Sequence, residues 1–146
     1  MKPTTCLTIT LLRCVPAMLL FSALVTQTAL AADSADALFK QCESKSTTAN
    51  QRDCYPAVVK QSEIELVAAE KKARAEMVEL ERISEGSRSM HPVQAFDKAA
   101  RAYRAFRDAE SNRVTTSYGS GNGGGHAAYQ TIVEMNLTRA KRLKSQ

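Results

Sequence analysis

The sequence is poor in the residues that build β-sheets. Aromatic residues make up only 5% of its 146 residues, and tryptophan is absent. β-Branched residues nowhere alternate with polar ones over the length of a strand, although a half-buried strand requires such alternation. Glutamate, lysine, alanine and leucine dominate long stretches without glycine or proline, as in surface helices. We therefore predict an all-α protein.

Histidine is equally scarce, and the chain has only His91 and His126. A hydrolase needs a nucleophile, a base and an orienting group, or paired carboxylates in a cleft, and neither arrangement can be recognised. Neither histidine stands at ligand spacing from a cysteine or from the other, so zinc fits poorly, and we expect both to be solvated. We predict that the protein is not an enzyme and that it holds no metal or cofactor.

The one glycine-rich stretch covers residues 118–126 and contains the pattern G-x-G-x-x-G. A dinucleotide-binding loop would follow a strand and would be followed by an acidic residue about twenty positions later, and both are missing. The stretch also lacks the lysine of a phosphate-binding loop. We therefore interpret it as a flexible connector between two helices.

Only one long apolar run is present, and it lies close to the N-terminus. Lys2 and Arg13 precede it, residues 14–25 are almost entirely apolar, and small residues follow as far as Ala31. This order is typical of a secretory signal peptide that is cleaved after a small residue. The uncharged stretch is long enough for an uncleaved anchor, but the small-residue ending favours cleavage after Ala31.

We accordingly expect residues 1–31 to be a signal peptide and residues 32–146 to be a single periplasmic or secreted domain without stable membrane insertion. Cleavage leaves 18 basic and 15 acidic residues, so the formal net charge falls from +5 to +3. This mild excess is spread along the helices, and we predict no nucleic-acid partner. The basic residues of the final turn are typical of a helix C-terminus.

Cys42 and Cys54 are the only cysteines outside the predicted signal peptide. Two such residues in an oxidising compartment predict a disulfide. Their spacing differs from the C-x-x-C of a redox pair, so we interpret the bridge as structural. Closing a loop of this size stabilises the fold by about 3 kcal/mol in the chain-entropy model.

The pattern of apolar residues predicts a short first helix and three longer ones, arranged as a small bundle. The short helix covers residues 34–44, and a capping box that begins at Thr48 starts the second helix. Pro56 should bend this helix or force a restart near Ala57. The helix should then run to about Ile83, with Gly86 and Ser87 ending it. Its predicted stripe, in which only the glutamate is polar, comprises Val59, Glu63, Leu66, Ala69, Ala73, Met77 and Leu80.

Pro92 is well placed to start the third helix, which should continue to about residue 113. Its apolar residues recur at helical spacing, so we expect a hydrophobic seam packed against the second helix rather than a ligand-binding aromatic box. The last helix is expected over residues 127–144. The predicted seam consists of Val93, Phe96, Ala99, Ala100, Tyr103 and Phe106.

Residues 99–111, AARAYRAFRDAES, form the most distinctive segment of the chain. They resemble the motif A-Q-R-A-W-hydrophobic-x-F-R-D-A-E-C of the LprI-like family, small exported bacterial helical domains named after a lysozyme inhibitor. Tyr103 stands where tryptophan is usual and Ser111 where cysteine is usual. At the end of the chain Arg139 and Leu143 match the family pattern. The matching residues of the motif are Arg101, Ala102, Phe106, Arg107, Asp108, Ala109 and Glu110.

The chain departs from the family in other places. Thr131 falls where a second cysteine is usual, so both thiols of a second bridge are missing together. In the pattern D-x-x-L-N-x-x-Y of the second helix only Leu66 matches, since Glu63 and Glu70 replace the aspartate and the tyrosine. These departures weaken the transfer of any function that depends on that surface.

The resemblance implies an exported binding protein that inhibits lysozyme by occluding it. The alternatives are a non-catalytic structural or envelope-stress accessory protein, and a small-molecule carrier with an apolar cavity. Many lysozymes are basic, so a domain at +3 is not the acidic partner that electrostatic steering would favour, although the acidic residues of segment 63–85 could supply a local patch.

The same resemblance singles out six packing or polar residues, which are Arg101, Tyr103, Phe106, Arg107, Asp108 and Arg139. Adjacent residues do not face each other on a helix, so we expect Arg107 and Asp108 to reach a neighbouring helix or solvent rather than each other. We predict that one of the two forms an interhelical salt bridge that fixes the packing.

Overall fold

The computed structural model describes residues 33–146, which form five α-helices and no strand. The all-helical prediction is confirmed. The predicted signal peptide, residues 1–31, lies outside the described residues. No helix within residues 33–146 combines the length and the apolar character needed to cross a membrane.

Helix α1 (Ala35–Glu43) begins after Ser34, whose hydroxyl accepts a hydrogen bond from the Ala37 amide at 3.2 Å. Near its end, Cys42 forms the predicted disulfide with Cys54 of the next helix, with the two Cα atoms 5.8 Å apart. The bridge therefore ties the short α1 to the long α2.

Helix α2 (Thr48–Ile83) starts one residue earlier than the predicted capping box, because Thr47 accepts a hydrogen bond from the Asn50 amide at 3.2 Å. The expected restart near Ala57 is wrong, since the helix continues through Pro56. A proline inside a helix removes one amide donor and its ring crowds the carbonyl of the residue four positions earlier, at a cost of about 3 kcal/mol. Here the nearby Tyr55 and Val58 are both buried in the core. Tertiary packing thus outweighs the local preference.

A fifth helix was not predicted. Ser84 ends α2 and starts the short helix α3 (Glu85–Ser89), because its hydroxyl accepts a hydrogen bond from the Ser87 amide at 3.2 Å. The expected end of the long helix at Ile83 is correct, but Gly86 and Ser87 lie inside α3 and do not form that end. Helix α4 (Pro92–Ser117) has Pro92 in its first turn, as predicted, and extends past residue 113.

Helix α5 (Gly124–Lys144) begins earlier than expected and includes part of the glycine-rich stretch. The connector between α4 and α5 is consequently limited to residues 118–123. Gly124 is buried, and a Cβ atom at this position would lie 2.7 Å from the carbonyl oxygen of Thr115 in α4. A glycine is needed here because the two backbones approach each other closely.

Helix α2 lies at the centre and is antiparallel to α1 and α4 but parallel to α5. Contacts between α2 and α5 run in the same order along both helices, from Ser62 with Asn136 to Glu70 with Arg139. Contacts between α2 and α4 run in opposite order. Glu63 precedes Arg74 on α2, but its partner Arg107 follows Asp97, the partner of Arg74, on α4. Helix α5 packs against both of the other long helices, α2 and α4.

Two apolar clusters follow each other along α2. The cluster at the disulfide end, which joins α1, α2 and α5, contains Phe39, Cys42, Tyr55, Val58 and Val133. The central cluster contains Leu66, Ala69 and Ala140, with Tyr103 and Leu143 packed against it. The predicted α2 stripe is thus correct from Val59, which packs against the first cluster, to Ala73. Leu80 is 38% exposed because the bundle ends before it.

Candidate functional site

A fully buried asparagine joins the three long helices. The Asn136 amide nitrogen donates to the Ser62 hydroxyl at 3.1 Å and to the Glu63 carboxylate at 3.2 Å, both on α2. Its carbonyl oxygen accepts a hydrogen bond from Arg107 of α4 at 2.9 Å. Each half of the side-chain amide is therefore satisfied inside the protein, as a buried polar group requires.

Arg107 forms an interhelical salt bridge, as predicted for this pair of residues. Its guanidinium lies 2.6 Å from the Glu63 carboxylate, and its side chain is only 12% exposed. Asp108 also contacts Arg107, at 2.9 Å, so the expectation that these neighbours do not pair is wrong. The long arginine side chain reaches back to the exposed carboxylate. Burial alone would lower the pKa of Arg107, but its hydrogen bonds to Asp108 and Glu63 outweigh burial and raise it.

Glu70 of α2 is the second anionic centre, with a side chain that is 10% exposed. It binds Arg104 of α4 at 2.6 Å and Arg139 of α5 at 3.3 Å. The Arg139 guanidinium also lies 4.4 Å above the Tyr103 ring, at a cation–π distance. We call the whole group the polar network; it comprises Ser62, Glu63, Glu70, Tyr103, Arg104, Arg107, Asn136 and Arg139.

The structure thus brings together three of the six residues from the motif and the final helix, namely Tyr103, Arg107 and Arg139. Phe106 does not belong to a packed seam, because it is 61% exposed. Tyr103 packs against the central cluster, and Arg104 and Arg107 also extend from α4 towards α2. Arg101 is exposed and lies outside the network. Asp108 touches it only through Arg107.

Sequence reasoning missed Glu70, Arg104 and Asn136 as members of this network. Asn136 could have been recognised from the sequence, because it is a polar residue within the apolar face of α5 formed by Val133 and Ala140. Glu70 and Arg104 left none, since charged residues at such spacing are ordinary on solvated helix surfaces.

The two histidines stand far apart along the chain and in different settings. His91 is exposed and precedes α4 with a left-handed backbone (φ 51°). His126 is half-buried in α5, with its ring edge-on to Tyr55 at 4.7 Å, so the expectation that it is solvated is wrong. Within residues 33–146, no three histidine, cysteine or acidic side chains converge as metal ligands.

The surface grooves of the described residues are open rather than enclosed. One of 630 Å³ follows α2 and is lined by apolar side chains that include Ile64, Val67 and Ile132. Another of 460 Å³ lies between α4 and α5, with Phe106 and Met135 in its wall. Neither surrounds a ligand in the way that small-molecule sites do, so the carrier hypothesis gains no support from them.

Comparisons with known proteins agree with the motif in α4. A family model described as lysozyme inhibitor LprI matches residues 40–143, which is more than half of the chain. No curated protein and no solved structure was found to match it. The matched region contains the disulfide, both apolar clusters apart from Phe39, and the whole polar network. The chain therefore belongs to the LprI family of lysozyme inhibitors.

Proposed function

We propose that the protein is an exported inhibitor that binds lysozyme and blocks access to its substrate cleft. The family match over residues 40–143 carries this proposal. The Cys42–Cys54 bridge supports export, because disulfides persist in oxidising compartments outside the cytoplasm. Neither the polar network nor the histidines offer a catalytic arrangement among the described residues, which favours a binding role.

The polar network stabilises the helical bundle and is not itself the surface that binds the partner. Glu63 and Glu70 face arginines from α4 and α5, so their charges are neutralised within the bundle. The acidic patch that the sequence suggested over residues 63–85 consequently loses Glu63 and Glu70, whereas Glu65 accepts hydrogen bonds from Ala35 and Gln61. Binding must use side chains that the scaffold leaves exposed, and the network holds the helices that carry them.

Lysozyme turnover on a cell-wall suspension tests this function directly. The full chain is expressed with export and purified from the periplasm or medium, then titrated against lysozymes of different classes. We expect a dose-dependent loss of turnover for at least one class, with a saturating one-to-one complex seen by calorimetry. Protein that has been reduced, alkylated and denatured is the control and should not inhibit. No inhibition of any class at micromolar excess would contradict the proposal and favour an accessory role in the envelope.

A further inference from the structure

The end of the α2–α4 hairpin extends beyond the rest of the bundle. Leu143, one residue before the end of α5, packs against the central cluster with Leu66 and Ala69. Helix α2 continues for ten residues past Ala73, or about 15 Å at 1.5 Å per residue. We call residues 75–96, which lie beyond the ion pair of Arg74 with Asp97, the hairpin tip.

The hairpin tip exposes several large apolar side chains among charged and polar ones. None of its residues is buried, and the chain has no buried residue between Ala73 and Ser111. Eight large apolar side chains are exposed in the described part of the protein, and four of them belong to the tip. These are Val78 (46% exposed), Leu80 (38%), Ile83 (63%) and Met90 (79%). Such a concentration at one projecting end is typical of an interaction surface.

Ion pairs and caps hold the hairpin tip in a defined conformation. Arg74 binds Asp97 through two hydrogen bonds of 2.9 and 3.1 Å at its base. The Glu81 carboxylate accepts a hydrogen bond from the Val93 amide at 3.1 Å, which joins α2 to the first turn of α4. His91 keeps a left-handed backbone, a conformation that costs energy for a residue other than glycine. A surface ordered before binding loses less entropy when the partner arrives.

The hairpin tip also differs in charge from the remainder of the protein. It contains four acidic and two basic residues, which gives it a formal charge of −2. The other residues of the segment 33–146 contain 11 acidic and 16 basic residues, with a formal charge of +5. A basic partner would therefore be attracted to this end and repelled by the other, which orients the encounter.

We infer that the hairpin tip enters the substrate cleft of a basic lysozyme, with Ile83 and Met90 as the main apolar contacts. This inference rests on the proposed function and identifies the surface that binds lysozyme. An end that projects from the bundle and carries exposed apolar side chains can enter an open cleft, whereas the grooves along α2 and between α4 and α5 would need an inserted element of the enzyme. The acidic side chains around the tip orient it towards the basic enzyme surface.

A pair of matched double variants tests the assignment. The tip variant Ile83→Ser/Met90→Ser is compared with the control Ile64→Ser/Val67→Ser, which changes two similarly exposed residues in the α2 groove. Neither variant alters a buried residue, so both should keep the wild-type melting temperature. We expect the tip variant to bind lysozyme about tenfold or more weakly and the control to bind as tightly as the wild type, since exposed anchors dominate interfaces.

Competition with a chito-oligosaccharide that occupies the lysozyme cleft provides a second readout. We expect the oligosaccharide to displace the wild-type protein from the enzyme. If the wild type inhibits and the tip variant inhibits equally well, or if the oligosaccharide binds simultaneously, the assignment of the tip is wrong while the inhibitory function stands. If the wild type does not inhibit lysozyme, both the proposed function and the assignment of the tip are wrong. Wild-type dimers that the tip variant abolishes would identify a second copy of the chain as the occupant and overturn the assignment.

Discussion

At the scale of single residues, Asn136 shows how one polar side chain can set the position of a helix. It is completely buried, and its partners lie on α2 and α4. Shifting α5 along α2 by one turn would separate the amide from Ser62 and Glu63 and leave it unsatisfied. A single buried asparagine fixes the register of coiled coils in the same way. Burial also means that the sequon formed by Asn136, Leu137 and Thr138 is unsuited to glycosylation.

We predict that Asn136→Ala lowers the free energy of unfolding by about 2 kcal/mol, because it leaves the buried ends of Arg107 and Ser62 with fewer partners. Asn122→Ala, in the exposed connector, is the matched control and should change it by less than about 0.5 kcal/mol. Urea denaturation followed by circular dichroism measures both. Equal midpoints for the two variants would show that the network does not depend on Asn136.

At the scale of the helices, α4 is unusual because none of its apolar side chains is fully buried, although ion pairs join it to α2. Its single buried residue is Ser111, and its links to α2 include the ion pairs of Asp97, Arg104 and Arg107. The α4–α5 contact is tighter at the other end, where the backbones meet at Gly124. Helix α4 is thus anchored closely near its C-terminus and by polar contacts elsewhere.

Two adjacent glycines of α5 allow a controlled test of that close contact. Gly124→Ala should lower the free energy of unfolding by about 1–3 kcal/mol, since its Cβ would overlap the Thr115 carbonyl oxygen, a backbone atom that cannot rotate away. Gly125→Ala meets nothing within 4 Å and should raise stability by up to about 1 kcal/mol, because alanine favours the helix. Thermal unfolding distinguishes them, and a stabilised Gly124→Ala variant would disprove the close approach.

The helices and the disulfide could be predicted from the sequence because their causes are local. Pro92 sets the start of α4, and Cys42 and Cys54 had no other partner outside the predicted signal peptide. The exposure of Phe106 could not be predicted, because helical spacing defines a face but not whether another helix covers it. The continuity of α2 through Pro56 likewise depends on burial of its neighbours by α1 and α5. The polar network could not be predicted either, because it depends on the parallel pairing of α2 with α5.

For the molecule as a whole, each apolar cluster includes a tyrosine whose ionisation opposes folding. Burial raises the pKa of Tyr55 at the disulfide end, and burial also raises the pKa of Tyr103 beside the central cluster, where nearby arginines only partly offset it. A tyrosine whose pKa is higher in the folded state binds its proton more tightly there than in the unfolded chain. Its contribution to stability is therefore complete below about pH 10 and is lost as the pH rises further.

We predict that the melting temperature falls as the pH is raised above about 10, in step with the appearance of tyrosinate absorbance. Tyr103→Phe should reduce this fall, and it should cost little at neutral pH, because the buried Tyr103 hydroxyl has no hydrogen-bond partner within residues 33–146. Tyr118→Phe, which changes a half-exposed residue of the connector, is the control and should leave the profile unchanged. An identical alkaline profile for Tyr103→Phe and the wild type would contradict the prediction.

The parallel pairing of α2 with α5 also determines when the two apolar clusters can be completed. Val133, Asn136 and Ala140, which complete the two clusters and the polar network, all come from α5, which follows the other four helices along the chain. A growing chain that still lacks α5 has neither cluster complete, although α1 and α4 can already contact α2. Both apolar clusters are therefore completed only after α5 has been added to the chain.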